Sequence, residues 1–199
     1  MRMRGLCSKL RKKFRRKSKV SSAGIIAENL LKGNFLTHAP DQVWVPDIRS
    51  IPTAEGWLYL AVVLDLFSRK VIGMAMDKHM ARFLVMRAFE QALYRRNGKL
   101  PLLFHSDRGS QYTSQDVQKC LKKAGILPSM SGKGNCYDNA VMESFFHSLK
   151  MELLYNTKYE TRNQAKEEIF KYVEYFIIEN ENTLTWAISA QMSLKRKTS

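Results

Sequence analysis

Cysteine is scarce in this chain, with 3 in 199 residues, and Cys7, Cys120 and Cys136 share no CxxC spacing. An odd, scattered set excludes a disulfide scaffold and reads as free thiols in a reducing compartment. His38, His79, His105 and His147 do not join these thiols at zinc-ligand spacing, so no zinc site is expected. No stretch reaches the run of about 18 apolar residues that a membrane span needs. The charged N-terminus lacks the apolar segment of a secretory signal, and a cytoplasmic setting is expected. Repeats are absent too. Acid is missing where base is densest: residues 1–20 hold ten Lys/Arg and no Asp or Glu.

That asymmetry decides where the charge lies. The chain carries 33 Lys+Arg against 18 Asp+Glu, a net +15, yet beyond residue 20 the counts are 23 and 18. Two thirds of the excess therefore sits in one short arm that includes Arg11, Lys12, Lys13, Arg15 and Arg16. A block of this kind neutralises phosphates and releases their counterions, giving strong, salt-sensitive, sequence-independent affinity for nucleic acid. The alternative is a solvated tail with no defined partner.

Beyond the arm, residues 21–40 read as a linker, so residues 1–38 form an arm and linker ahead of a core at 39–179 and a tail at 180–199. Strands are predicted over Val43–Ile51, Trp57–Leu66 and Lys70–Met76. Short connections through Gly56 and Ser68-Arg69 make them antiparallel neighbours. Apolar residues at helical spacing predict a helix over Ala81–Arg96, closed by Asn97-Gly98. A strand over Leu100–His105 follows. Thr113 or Ser114 can cap a helix to Ala124 with Gly125 as its stop, and Ile126–Ser129 is another strand. A helix from Asp138 to about Leu154 and one begun by the capping box Thr161/Gln164 complete the order. The pattern βββ-α-β-α-β-α-α predicts an α/β fold, a mixed five-stranded sheet with helices on both faces.

Three carboxylates stand in distinctive phrases. Asp47 lies in Trp44-Val45-Pro46-Asp47-Ile48, Asp107 in His105-Ser106-Asp107-Arg108-Gly109-Ser110-Gln111-Tyr112-Thr113, and Glu143 in Asn139-Ala140-Val141-Met142-Glu143-Ser144-Phe145-Phe146. Asp47 falls on the first strand, Asp107 just past a strand's carboxyl end and Glu143 on a helix. Mg²⁺ takes hard oxygen ligands, few carboxylates per ion, and leaves room for phosphate and water. Two such ions side by side can stabilise both the attacking and leaving oxygens of a phosphoryl displacement. On the helix, Met142, Phe145, Phe146, Leu149 and Leu153 form the core stripe, and Asn139, Glu143, His147 and Lys150 share another face. Asp65, alone in the apolar second strand, is the competing acid, expected either to support the metal ligands or to serve the structure. Arg108, Lys150 and Lys133 in the glycine-rich Ser131–Asn135 loop are candidate phosphate contacts.

From about Asn29 to Ile178 the chain resembles the catalytic domain of integrase-like (DDE) transposases of bacterial insertion sequences, of the orfB type, in the retroviral integrase superfamily. The resemblance is carried by Asn29-Leu30-Leu31, by Ile51 through Arg69, by the Asp107 phrase and by Ser129 through Asn139. It implies an RNase H-like fold and a polynucleotidyl transferase whose Asp47, Asp107 and Glu143 hold two Mg²⁺ (or Mn²⁺) ions. Metal-activated water would cleave a strand at the element's end, and the freed 3′-hydroxyl would attack another phosphodiester, with no covalent enzyme intermediate. It also implies a nucleoid-associated bacterial protein acting as a homo-oligomer on DNA (element ends and target), with an upstream-frame helix-turn-helix protein as partner.

The chain departs from the family pattern in places. Arg49-Ser50 stands where the family usually has Thr-Tyr, Pro46 precedes the first acid, and the closing basic pair and Ser-Pro are missing after Asn180. Pro46 removes a ladder donor from a central strand, and Arg49 is expected on the face of Asp47, where it can pair with the carboxylate. A catalytically inactive DNA-binding remnant is therefore the alternative reading, with a nuclease of RNA–DNA hybrids as a third class.

Overall fold

A computed structural model of the chain describes residues 24–33, 36–96, 102–132, 140–155 and 157–174. Five strands form one sheet: β1 (Val43–Thr53), β2 (Gly56–Asp65), β3 (Val71–Asp77), β4 (Leu103–Ser106) and β5 (Leu127–Met130). Their spatial order is β3-β2-β1-β4-β5. The first three are antiparallel, whereas β4 joins β1, and β5 joins β4, in parallel. Helices α1 (Arg82–Arg95) and α2 (Gln115–Lys123) provide the crossovers that parallel pairing demands. Helix α3 (Ala140–Leu149) continues into a π-helical turn, Lys150–Leu154, and residues 162–174 form α4. The expected element order and mixed sheet are present.

Two cores explain why β1 and β2 are apolar on both faces. Val43, Val45 and Ile51 alternate with Trp44 along β1, and Leu58, Leu60, Val62 and Leu64 alternate with Ala61 and Val63 along β2. The first set packs with Met142, Phe145, Phe146 and Leu149 of α3 and Ala165, Ile169 and Val173 of α4. The second packs with Leu84, Ala88, Phe89 and Ala92 of α1 and Val117 and Leu121 of α2. A strand buried on both faces reads as a continuous apolar run. Asp47 shares the pleat face of Val45, so it looks toward α3.

Pro46 is not the sheet defect that a central strand implied. The carbonyl of Val43 accepts from Leu66 N–H on the β2 side, and that of Gln42 accepts from Leu103 N–H on the β4 side. Strand parity therefore turns the missing amide of Pro46 toward β4, not toward its antiparallel partner Val63. Pairing with β4 has already ended there, at Trp44↔Phe104. The proline sits where the two strands part, and the gap it helps leave lies between Asp47 and the end of β4.

The linker expected over residues 21–40 is in part a packed element. Ile25 N–H donates to Thr113 C=O (2.9 Å), Leu30 N–H to Ser129 Oγ (2.9 Å), and Met130 N–H to Glu28 C=O (3.3 Å). Leu31 is buried. Residues 24–31 thus cover the edge of β5, the device by which an open sheet avoids an unpaired margin. The expected tail at 180–199 lies outside the described residues, as do Asn97-Gly98. Gly125 (φ 67°) stops α2 as expected, but the Ser114 hydroxyl donates to Gln111 C=O and does not cap the helix. Half of the Thr161/Gln164 box forms: Gln164 N–H donates to Thr161 Oγ1 (3.1 Å), but the Gln164 side-chain oxygen accepts from Glu160 N–H (3.1 Å), one residue before the cap.

One close approach fixes α1 against the sheet. A Cβ on Gly73 of β3 would lie 2.1 Å from Ala88 C=O and 2.9 Å from Ala92 Cβ. Backbone blocks that space, so Gly73→Ala must push the helix off the sheet. We expect it to lower stability by about 2–3 kcal/mol or more, at the upper end of overpacking costs, read as a fall in the urea midpoint with an unchanged slope.

Candidate active site

The three acids come from three elements. Asp47 is partly buried on β1, Asp107 is exposed immediately after β4, and Glu143 is exposed on α3. Strand ends on an open α/β sheet are where ligands gather, and the parting of β1 and β4 places Asp47 beside that end. Burial raises the Asp47 carboxyl from its usual 3.8 to about 6. The Ile48 N–H bond and the Arg49 charge oppose this, and the negative charges of Asp107 and Glu143 reinforce it. The charges of both other acids thus add to the rise, after burial as its main cause.

They are not yet a compact ligand shell. Among the described residues no three His, Cys, Asp or Glu side chains are grouped closely enough to hold a metal ion. The hydrogen bonds show what holds two of them back. Asp47 Oδ1 accepts from its own neighbour Ile48 N–H (2.7 Å), and Asp107 Oδ1 accepts from Gly109 N–H (2.9 Å). Each carboxylate keeps a second oxygen for other partners. A Cβ on Gly109 would stand 2.9 Å from Asp107 Oδ1, so glycine there leaves the carboxylate room to turn. The donor set is hard oxygen throughout, the chemistry that suits Mg²⁺.

Asp65, the competing acid, is excluded from this group by the pleat. It pairs with Trp44 and faces the opposite side of the sheet from Asp47. Its carboxylate is buried and accepts from Asp41 N–H (2.9 Å), Ser68 N–H (2.8 Å) and Ser68 Oγ–H (2.6 Å). These bonds close the turn after β2, the structural one of the two expected roles. Arg49 does lie on the Asp47 face, but its guanidinium stacks over the Phe146 ring, 5.2 Å from the centroid. The expected ion pair with Asp47 is not among those of the described residues. Stacking on an aromatic face is a favoured use of arginine.

The candidate DNA contacts are dispersed. Arg108 Nε donates to Ser131 C=O (3.0 Å), and Ser131 N–H donates to Ser106 C=O (2.9 Å). This side chain therefore braces the start of the glycine-rich loop, a job that the expected phosphate contact did not include. Glu143 and His147 are exposed on α3 and Lys150 on the π-helical turn after it, while Met142, Phe145, Phe146 and Leu149 are buried, so the polar and core faces separate as expected. Lys133 and the arm residues Arg11, Lys12, Lys13, Arg15 and Arg16 lie outside the described residues, as does Asn139.

Comparison with known proteins decides the family. Two models described as integrase core domain match residues 37–136 and 143–185. The chain belongs to the integrase core family. It is 44% identical over 174 residues to the transposase InsF for insertion sequence IS3A of Escherichia coli K12, covering 87% of this chain and 60% of that one. It is 47% identical over 154 residues to the transposase for insertion sequence element IS904 of Lactococcus lactis subsp. lactis, covering 77% and 61%. The chain thus spans about 60% of the length of these relatives. In structure it is similar to a chain of the simian T-cell lymphotropic virus intasome in complex with PP2A regulatory subunit B56 gamma. There the TM-score is 0.51 and the identity 20%, over 64% of this chain and 42% of that one. The fold is RNase H-like, as integrase catalytic cores are.

Within this integrase core, the shifted carboxyl of Asp47 has a measurable consequence. A folded-state value above the unfolded one means that the native state holds the extra proton. Its stabilising share is fully present below pH 4 and is lost as pH rises through about 6. Above pH 6 the buried charge destabilises by up to about 2–3 kcal/mol, at 1.36 kcal/mol per unit. Asp47→Asn should therefore unfold at a higher denaturant midpoint than the parent at pH 7.5, with the two coinciding near pH 4. A variant less stable than the parent at pH 7.5 would contradict the burial argument.

Proposed function

We propose that this integrase core is the catalytic part of an insertion-sequence transposase, cleaving DNA at the element's ends and joining them to a target. The observation that carries the reading is the placement of the acids: Asp47 stands on the α3 side of β1 where pairing with β4 ends, Asp107 directly follows β4, and Glu143 lies on α3, the helix packed on that side. Two Mg²⁺ (or Mn²⁺) ions held by these residues would supply Lewis-acid polarisation of the phosphodiester and its attacking and leaving oxygens. The chain's own part is to bring two carboxylates from strand ends and one from α3 to a single phosphate. The like charges of three acids brought to one place are what the cations would offset. Lys150, one helical face along from Glu143, is suited to a flanking phosphate. The basic arm supplies sequence-independent affinity.

The reading as an inactive remnant began from Pro46 and Arg49. The sheet accommodates the first and Phe146 engages the second, which favours a working copy. What remains of it rests on the stretch from Asn180, outside the described residues. The proposed partners are element-end and target DNA, further copies of this chain, and an upstream-frame helix-turn-helix protein for sequence recognition. The test is a strand-transfer assay on duplexes carrying the element's own ends. Joined products in Mg²⁺ or Mn²⁺, absent in chelator, are expected. Products that persist in chelator, or none under any divalent ion, would refute the proposal.

A further inference from the structure

Tyr112 lies in the same phrase as Asp107, five residues on, and its side chain is 3% exposed. Its backbone is held on both sides: the N–H donates to Gly109 C=O (3.1 Å), and the C=O accepts from Gln118 Nε2 (2.8 Å). The ring packs against Phe104 with centroids 6.5 Å apart. It also flanks Gly109 opposite the Asp107 carboxylate, since a Cβ there would meet Asp107 Oδ1 at 2.9 Å and Tyr112 Cδ2 at 3.4 Å. The hydroxyl at the end of this fixed ring is buried and has no hydrogen-bond partner among the described residues.

An unmade hydrogen bond at a buried hydroxyl costs stability, and phenylalanine would fill the same space without that cost. The packing of Tyr112 therefore does not account for its oxygen. The surrounding charge suggests what does. Burial raises the Tyr112 hydroxyl well above its usual value, and the negative charges of Asp47 and Asp107 raise it further. A buried, unpartnered phenol on a ring that stands beside the Asp107 turn is a hydrogen-bond donor awaiting an acceptor. The Oδ1 atoms of both acids are already taken by the amides of Ile48 and Gly109.

We propose that Tyr112 is a positioning residue for the first two acids, donating its hydroxyl hydrogen bond to an Asp47 or Asp107 carboxylate oxygen in the metal-loaded site. The bond would swing the carboxylates out of their local backbone contacts and into ligand orientation. It would also share their negative charge before a phosphate arrives. This rests on the proposed reading of the three acids as metal ligands. Groups that orient metal ligands typically carry a 10–100-fold effect on metal affinity or rate when removed.

The test is Tyr112→Phe in the full chain, with Mn²⁺ affinity measured by calorimetry, thermal midpoint without metal, and strand-transfer kinetics. The expected result is Mn²⁺ binding weakened about tenfold or more and kcat reduced with KM for DNA unchanged. The metal-free midpoint should be equal to or above that of the parent. A lowered metal-free midpoint would mean that the hydroxyl serves the fold and would overturn the proposal. So would unchanged Mn²⁺ affinity in a variant whose parent binds the ion. A parent that binds no Mn²⁺ would instead overturn the reading of the acids, and this inference with it.

Discussion

Asp107→Asn is expected to abolish strand transfer while leaving duplex DNA affinity and folding stability close to those of the parent chain. The substitution keeps the shape of the side chain and an Oδ1 acceptor for Gly109 N–H, the bond that shapes the loop. Asp107 is exposed, so little packing is at stake. In the proposed reading, what is lost is a negative oxygen at the place where charge would be balanced during phosphoryl transfer. Removing one group that stabilises transition-state charge costs about a hundred- to a thousandfold in rate. A metal ligand should cost at least the upper figure. Binding should change little, because the residue contributes no positive charge to the phosphate backbone. Rates measured by single-turnover strand transfer, beside affinities from fluorescence anisotropy, separate these effects. Equal loss of binding and transfer would mean that Asp107 shapes the DNA surface and is no metal ligand.

Deleting residues 1–20 should flatten the salt dependence of DNA binding more than any single substitution can. Those residues carry ten of the chain's 33 Lys+Arg and no acid. Each phosphate neutralised on duplex DNA contributes about 0.9 to the slope of log K against log salt. Engagement of even half of the ten cations would remove about 4.5 from that slope, and affinity at low salt would fall by orders of magnitude. The packed segment 24–31 stays in the truncated chain, so the edge of β5 remains covered. An unchanged slope would show that the arm is a passive tail.

Much of the fold was legible because two periodicities are written plainly into the chain. β1 and β2 read as strands from their apolar runs, and α3 revealed its buried stripe through Met142, Phe145, Phe146 and Leu149. Asp65 stood out as a lone carboxylate among apolar neighbours that needs partners if buried, but the turn bonds that satisfy it show only in the structure. Long-range pairing was harder to see. Residues 24–31 have no periodicity of their own, and only their bonds to Ser129 and Met130 on the β5 edge make them structural. Pro46 was misjudged because a strand's two edges cannot be told apart from sequence: its missing amide faces the side on which pairing has ended. Arg49 was placed on the right face but given the wrong neighbour, since the ring that takes it, Phe146, lies 97 residues later.

The candidate site was legible in its acids and illegible in its support. Asp47, Asp107 and Glu143 announced themselves through their phrases, but nothing in a phrase says which backbone amide will hold a carboxylate. Arg108 bonds to Ser131 C=O, and the Tyr112 hydroxyl is buried without a partner among the described residues. Both lie beside Asp107 in sequence, where a tyrosine and an arginine in one short turn were signals of crowding around the acid.

The most direct test of whether these three acids share one metal site is to load the chain with Fe²⁺ in place of Mg²⁺ and let ascorbate and peroxide generate hydroxyl radicals there. Radicals cut the backbone only near the ion, so mass spectrometry of the fragments maps what surrounds it. Cuts are expected together near Asp47, Asp107 and Glu143, all suppressed by excess Mg²⁺ and weakened by Asp107→Asn. Cuts beside one acid alone, or only at positions away from all three, would contradict a shared site.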